Sequence, residues 1–257
     1  MKFLPTTKEE MKNLGWDSID VLLISGDTYL DTSYNGSALV GKWLVEHGFK
    51  VGIIAQPEVD VPDDITRLGE PNLFFAISGG CVDSMVANYT ATKKRRQQDD
   101  FTPGGVNNKR PDRAVLVYSN MVRRFFKGTT KKIVISGIES SLRRITHYDY
   151  WTNKLRKPIL FDAKADILSY GMGEMSMLQL ATALKNGEDW QNIRGLCYLS
   201  KENKEDYLSL PSHSECLADK DKFIEAFHTF YLNCDPITAK GLCQKCDDRY
   251  LIQNPPS

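Results

Sequence analysis

Short apolar runs that close on glycine or a small polar residue alternate, along most of the chain, with stretches of helical spacing. The first, Asp20-Val21-Leu22-Leu23-Ile24-Ser25-Gly26 followed by Asp27, is nearly uninterrupted, the pattern of a parallel strand buried on both faces. After a loop, Ala38, Leu39, Trp43 and Leu44 recur at helical spacing up to Gly48, which predicts a helix stopped by glycine. Residues 50–55 (KVGIIA) predict a second strand and complete a βαβ unit. The alternation continues with a strand over 73–78 ending at Gly79-Gly80, helices over 83–87 and 114–126, and a strand over 132–136 ending at Gly137-Ile138-Glu139. It closes with a strand over 166–170 ending in Gly171-Met172-Gly173-Glu174, a helix over 175–184 and a strand over 193–199.

This succession predicts an α/β fold: an open, mostly parallel, doubly wound sheet of the Rossmann or flavodoxin kind, with helices on both faces. Two segments interrupt it. Residues 88–113 are polar, with the basic cluster Lys93-Lys94-Arg95-Arg96 and the turn Thr102-Pro103-Gly104-Gly105, and read as a functional or mobile insertion. Residues 146–164, with His147-Tyr148-Asp149-Tyr150-Trp151, fit neither the strand nor the helix period. Beyond Ser200 the spacing is mainly helical, over 219–231 and 239–245, before a strand-like run is halted by Pro255-Pro256. The expected domains are therefore an α/β body over 1–200 and a helical extension and linker over 201–257.

Composition narrows the picture only slightly. In 257 residues, 33 Lys plus Arg balance 33 Asp plus Glu, so net charge recruits neither nucleic acid nor membrane. No apolar run is long enough to span a bilayer or to act as a secretory signal, which predicts a cytoplasmic protein. The cysteines Cys81, Cys197, Cys216, Cys234, Cys243 and Cys246 are too irregularly spaced for a disulfide framework.

In an open parallel sheet, ligands bind beyond the carboxyl ends of the strands. The candidate binding residues are therefore Gly26, Asp27, Gly79, Gly80, Gly137, Glu139, Gly171, Gly173 and Glu174, where glycine lets backbone amides approach a phosphate or planar ligand. Gly171-x-Gly173 is followed by Ser176 where a dinucleotide fingerprint needs glycine, which argues against a nicotinamide site. Lys93, Lys94, Arg95, Arg96, Arg110 and Arg113 could contact an anion or RNA, although such runs are usually solvated surface. Cys243-x-x-Cys246, with His213 and Cys216, offers a zinc set, but its spacing is not that of a finger and plain thiols are the preferred reading. A lone His147 in an aromatic turn is more often packed than catalytic. No catalytic residue is assigned.

Several stretches together resemble one family. They are Phe3-Leu4-Pro5-Thr6-Thr7, Ser84-Met85-Val86-Ala87-Asn88-Tyr89-Thr90, Thr102-Pro103-Gly104-Gly105 with Arg110-Pro111-Asp112-Arg113-Ala114, and Gly137-Ile138-Glu139-x-Ser141-Leu142-Arg143-Arg144. With His147-Tyr148-Asp149-Tyr150-Trp151, Asp162-x-Lys164-Ala165-Asp166 and Gln253-Asn254-Pro255-Pro256, they resemble the N-terminal region of YgiQ-type (UPF0313) radical SAM proteins. The resemblance implies a following catalytic barrel, in cis or as a separate chain, whose C-x₃-C-x₂-C motif holds a [4Fe–4S] cluster and S-adenosylmethionine. Here Ala239 stands where the first of those cysteines would be, so the chain alone is expected to be inactive. The fold also resembles the cobalamin-binding modules of such proteins, but Asp27 is followed by Thr28 and Tyr29, without the histidine that would ligate cobalt. Cobalamin is therefore disfavoured. The leading expectation is an accessory domain; the alternatives are a freestanding cobalamin or nucleotide binder and an RNA- or anion-contacting module.

Overall fold

The computed structural model describes residues 3–30 and 36–257, which form two compact units, Met1–Ser140 and Ser141–Ser257. In the first, the order is α1 (Lys8–Asn13), β1 (Val21–Ser25), α2 (Gly36–Glu46), β2 (Val51–Ala55), α3 (Pro62–Thr66), β3 (Phe74–Ser78), α4 (Ser84–Asn88), α5 (Ala114–Phe125), β4 (Lys132–Ser136) and α6 (Gly137–Ser141), whose last residue belongs to the second unit. The loop expected before Ala38 falls partly on residues 31–35, outside those described.

The four strands run parallel in the order β2-β1-β3-β4. Register is set by matching apolar runs, with Leu23 opposite both Ile53 and Ala76, and Ala76 opposite Val134. All of β1 is buried, which is why its sequence shows no alternation. The chain leaves β1 to one side for β2 and returns on the other for β3, so the topological switch lies between the carboxyl ends of β1 and β3. Helix α1 starts on a capping box: the Thr7 hydroxyl accepts from the Glu10 amide while the Glu10 carboxylate accepts from the Thr7 amide.

The second unit contains β5 (His147–Asp149), β6 (Lys154–Arg156), α7 (Ile159–Ala163), β7 (Ile167–Ser169), α8 (Gly173–Asn186), β8 (Leu196–Ser200), β9 (Leu208–Leu210), α9 (His213–Ala218), α10 (Lys220–Leu232), β10 (Leu242–Cys246) and β11 (Arg249–Gln253). Its strands run in the order β7-β8-β11-β10-β9, antiparallel except for the parallel β10–β9 pair, with β5 and β6 a separate hairpin.

The α/β class is as expected, but the partition differs from 1–200 and 201–257. The residues beyond Ser200 supply two helices and three strands, and the helix expected over 239–245 is the strand β10. That strand is buried on both faces, so its apolar residues carry no period of two. The closing segment is latched rather than linker-like. Asn254 is fully buried; its Nδ2 donates to the carbonyls of Gln191 (2.9 Å) and Ile193 (2.6 Å), and its Oδ1 accepts from the Tyr207 hydroxyl at 2.7 Å. The Tyr170 hydroxyl donates to the Asn254 carbonyl at 2.5 Å, and the Gly195 amide to that of Pro255 at 2.8 Å.

Gln244 of β10, fully buried, joins two loops: its Oε1 accepts from the Thr146 amide at 2.8 Å and its Nε2 donates to the Pro211 carbonyl at 2.9 Å. Gln244→Met keeps the volume and strands both backbone groups. It is expected to cost about 2–4 kcal/mol in urea unfolding; a loss under about 0.5 kcal/mol would show that those groups find other partners.

Candidate functional site

At the switch point, two glycines bring the ends of β1 and β3 together. The Gly26 amide donates to the Ser78 carbonyl at 2.9 Å, and a Cβ on Gly26 would stand 2.1 Å from the Gly79 carbonyl oxygen. A Cβ on Gly79 would stand 2.5 Å from Glu139 Oε2, and one on Gly80 2.2 Å from Asp27 Oδ1. A Cβ on Gly137 (φ +80°) would stand 2.6 Å from Ser78 Oγ. These glycines are required by the chain's own atoms, which occupy each Cβ position.

The carboxylates there are also engaged internally. Asp27 Oδ2 accepts from the Cys81 amide at 2.6 Å, and the Asp27 amide donates to Ser25 Oγ at 3.1 Å. Glu139, 2% exposed, accepts from the Ser84 amide at 3.0 Å and the Val115 amide at 3.2 Å, so one carboxylate serves the starts of α4 and α5. Free amides at those helix starts are what an anionic ligand would seek, and Glu139 supplies the negative charge instead.

Over this joint folds the polar insertion of residues 88–113. Its anchor is Arg110, whose side chain is fully buried. Arg110 Nε donates to the Gly26 carbonyl at 2.9 Å, and its Nη2 lies 2.5 Å from Asp27 Oδ1 and 3.5 Å from Asp99 Oδ2. Gln56, at the end of β2, donates to the Gly26 carbonyl at 3.0 Å and to Thr102 Oγ1 at 2.7 Å. Thr102 in turn donates to Asp99 at 2.7 Å, and the Thr28 amide donates to the Phe101 carbonyl at 2.9 Å. The turn Thr102-Pro103-Gly104-Gly105 closes with the Gly105 amide on the Thr102 carbonyl, Gly104 and Gly105 both having positive φ. Among the described residues, Arg110 Nη1 and the Tyr118 hydroxyl are buried with no hydrogen-bond partner.

Burial pushes the Asp27 carboxyl up, against the lowering pull of the Cys81 amide and Arg110. The Cys81 thiol is pushed to about 12 by burial and by the Asp27 charge, so it stays protonated and is no nucleophile near neutral pH.

Of the anion-contact candidates, Arg110 is thus sequestered. Arg95 lies over the Tyr89 ring and 3.7 Å from Asp112, while Arg96 Nε donates to the carbonyls of Val86 and Tyr89. Lys93 and Lys94 are exposed beside them, and Arg113, in a left-handed conformation, precedes α5. Gly171, Gly173 and Glu174 belong to the second unit, at the start of α8, where Ser176 bonds Ser169 Oγ at 2.8 Å.

The zinc candidates divide across β10. Cys243 and Cys246 are three apart on a strand and so point to opposite faces. Cys243 packs with Tyr198 and Ile252, whereas Cys246 lies against Cys216 and the main chain of His213. Burial raises Cys246 to about 12 and raises Cys216 and Cys243 as well. The His213 ring is taken by Thr146 Oγ1, at 3.0 Å from Nδ1. Among the described residues, no group of three or more His, Cys, Asp or Glu is placed to hold a metal ion. The donors therefore do not fit an iron–sulfur cluster, and no described helix is long and apolar enough to cross a membrane.

Sequence reading missed Asp99 and Gln56, and it quoted Arg144 only within a family motif, with no role. Asp99 and Gln56 carry no motif, and only the fold brings them to Arg110. Arg144, 8% exposed in the second unit, stacks over the Tyr170 and Phe230 rings at 4.5 and 4.2 Å and donates to Gln253 Oε1 at 3.0 Å.

The profile of the radical SAM N-terminal family matches residues 3–257. The chain is 96% identical over its whole length to a UPF0313 protein of Fusobacterium nucleatum subsp. nucleatum, of which it spans 45%. It is 50% identical to a UPF0313 protein of Thermotoga neapolitana, spanning 45%, and 48% identical to one of Methanocaldococcus jannaschii, spanning 42%. A solved structure of the radical S-adenosylmethionine methyltransferase TsrM from Kitasatospora setae aligns over 72% of this chain and 28% of its own, at 17% identity and a TM-score of 0.46. The chain belongs to the radical SAM N-terminal family and spans about half the length of its UPF0313 relatives.

Two predictions follow from these geometries. Arg110→Met leaves Asp27 and Asp99 buried without their cation and is expected to cost about 3–5 kcal/mol in urea unfolding. Adding Asp27→Asn is expected to recover part of that loss, and strictly additive costs would show that the two do not interact. His147 is held neutral, its Nδ1–H donating to the Ile145 carbonyl at 3.1 Å, and burial lowers its pKa from 6.5 to about 4. Between those values the unfolded chain takes a proton that the folded chain refuses, so stability is full above pH 6.5 and falls as pH drops towards 4. His147→Gln is expected to flatten that slope in thermal unfolding; an unchanged slope would place its origin elsewhere.

Proposed function

On the premise of that family membership, we propose that the chain is the accessory α/β half of a radical SAM protein, a braced platform that shapes the active site of a separate catalytic half. The carrying observation is that the family profile covers residues 3–257 while UPF0313 relatives are more than twice as long. In this reading the other half carries the three-cysteine motif, the cluster and S-adenosylmethionine. Bound there, the cluster and S-adenosylmethionine would supply the radical chemistry.

This chain's own residues support a structural part. Ala239 stands four residues before Cys243, and Cys243 and Cys246 are split across a strand. The strand-end set Gly26, Asp27, Gly79, Gly80, Gly137 and Glu139 holds the 88–113 insertion and two helix starts. Gly171, Gly173 and Glu174 remain as the open strand-end turn of the other unit, with Met172 exposed beside them. No cobalamin is assigned, since Asp27 is committed to Arg110 and Cys81 and no histidine follows it.

The test compares a full-length UPF0313 relative with its catalytic half alone, each reconstituted with iron and sulfide. Both are expected to bind the cluster, while 5′-deoxyadenosine formation is expected to fall at least about tenfold without residues 1–257. Equal rates would overturn the accessory reading. Cluster assembly on this chain alone would overturn the assignment of its cysteines.

A further inference from the structure

Helix α10 reads KDKFIEAFHTFYL, apolar on more than one side, the composition of a helix enclosed by other elements. Within it only Ala226 is buried. Phe223 and Phe230 are half-buried, Phe230 beneath the Arg144 guanidinium. The other side is open: Ile224 is 52% exposed, Phe227 54% and Tyr231 66%, a spacing of three and four that places all three on one face. The Phe227 and Tyr231 rings stack, with planes 22° apart. Leu232, the last residue of the helix, and Ile237, in the loop that follows, are also open, at 63% and 90% exposed. A contiguous aromatic and aliphatic face of this kind marks an interaction surface.

A second observation bears on what covers it. Arg194 bonds two backbone carbonyls at once: its Nε donates to Pro256 at 2.8 Å and its Nη2 to Pro236 at 2.5 Å. One guanidinium thus fastens the last residues of the chain beside the loop that carries Ile237. More than half of the Fusobacterium relative lies outside the match, and the family profile is that of an N-terminal region. Polypeptide continuing past Ser257 would emerge next to the open end of the apolar face.

We propose that this face of α10, with Ile224, Phe227, Tyr231, Leu232 and Ile237, is the seat of the polypeptide that follows this region in the longer UPF0313 proteins. The inference rests on the accessory reading above and adds where the two halves meet. The occupant presents apolar side chains, because these five residues carry no charge and the nearby Lys222 and Glu225 pair with each other at 2.8 Å.

Thiol labelling tests it. Cys234, exposed two residues beyond α10, is a native probe, and Phe227→Cys places a second at the centre of the face. Alkylation rates are measured in the 257-residue chain and in the full-length relative. Both thiols are expected to react freely in the short chain and at least about tenfold more slowly in the long one. Equal rates in the two would overturn the proposal. Protection in the short chain that rises with its concentration would make a second copy the occupant, which also overturns it. A face left open in a protein whose 5′-deoxyadenosine formation depends on residues 1–257 removes this docking site alone. A shielded face in a protein indifferent to those residues supports the docking and removes the accessory reading.

Discussion

The first unit depends on a buried cation. A polar insertion of this length cannot stay ordered over strand ends without offsetting its conformational entropy, and exposed contacts contribute little towards that. Arg110 provides the anchor by reaching from the insertion to the Gly26 carbonyl, Asp27 and Asp99. A guanidinium suits the position because its planar donors serve a carbonyl and carboxylates together. Its burial is tolerable only while those acceptors remain, which couples the insertion to β1 and fixes both.

The glycines around that cation follow from the same requirement. Asp27 can reach Arg110 and the Cys81 amide only if Gly80 offers no side chain, and Glu139 can reach two helix starts only if Gly79 offers none. A crevice that many α/β proteins leave open for an anion is here stitched shut by the protein's own carboxylates. The second unit uses the same device with different parts, Arg144 over two aromatic rings and Asn254 satisfied on both its amide atoms. Such networks are stiff, because breaking one bond strands a buried partner. Stiffness suits a platform.

The thiols point the same way. Cys246 and Cys81 are held protonated by burial, and Cys243 and Cys246 face apart, so the C-x-x-C pair does not act as a shared ligand pair. Apolar surface, in contrast, is left on the outside along α10, where a globular unit normally hides it. An inert interior joined to an exposed aromatic face accords with the proposed accessory role.

Local pattern sufficed for the α/β class, because buried parallel strands and amphipathic helices write their periods into the chain: 21–25, 74–78, 132–136 and 173–186 were all legible in that way. The family was legible too, since its motifs are long and contiguous. The hairpin at His147–Arg156, the strand β10 and the latch at Asn254 were not, because the hairpin strands are only three residues long, β10 is buried on both faces and loses its alternation, and a latch is made of distant partners. The strand-end glycines and carboxylates could be named from sequence, but not what they face. Whether Gly79 admits a phosphate or Glu139, and whether Arg110 waits for an anion or is already paired, depends on residues 50 to 90 positions away. Only the folded backbone sets those distances, and so only the tertiary structure decided that this crevice is a joint.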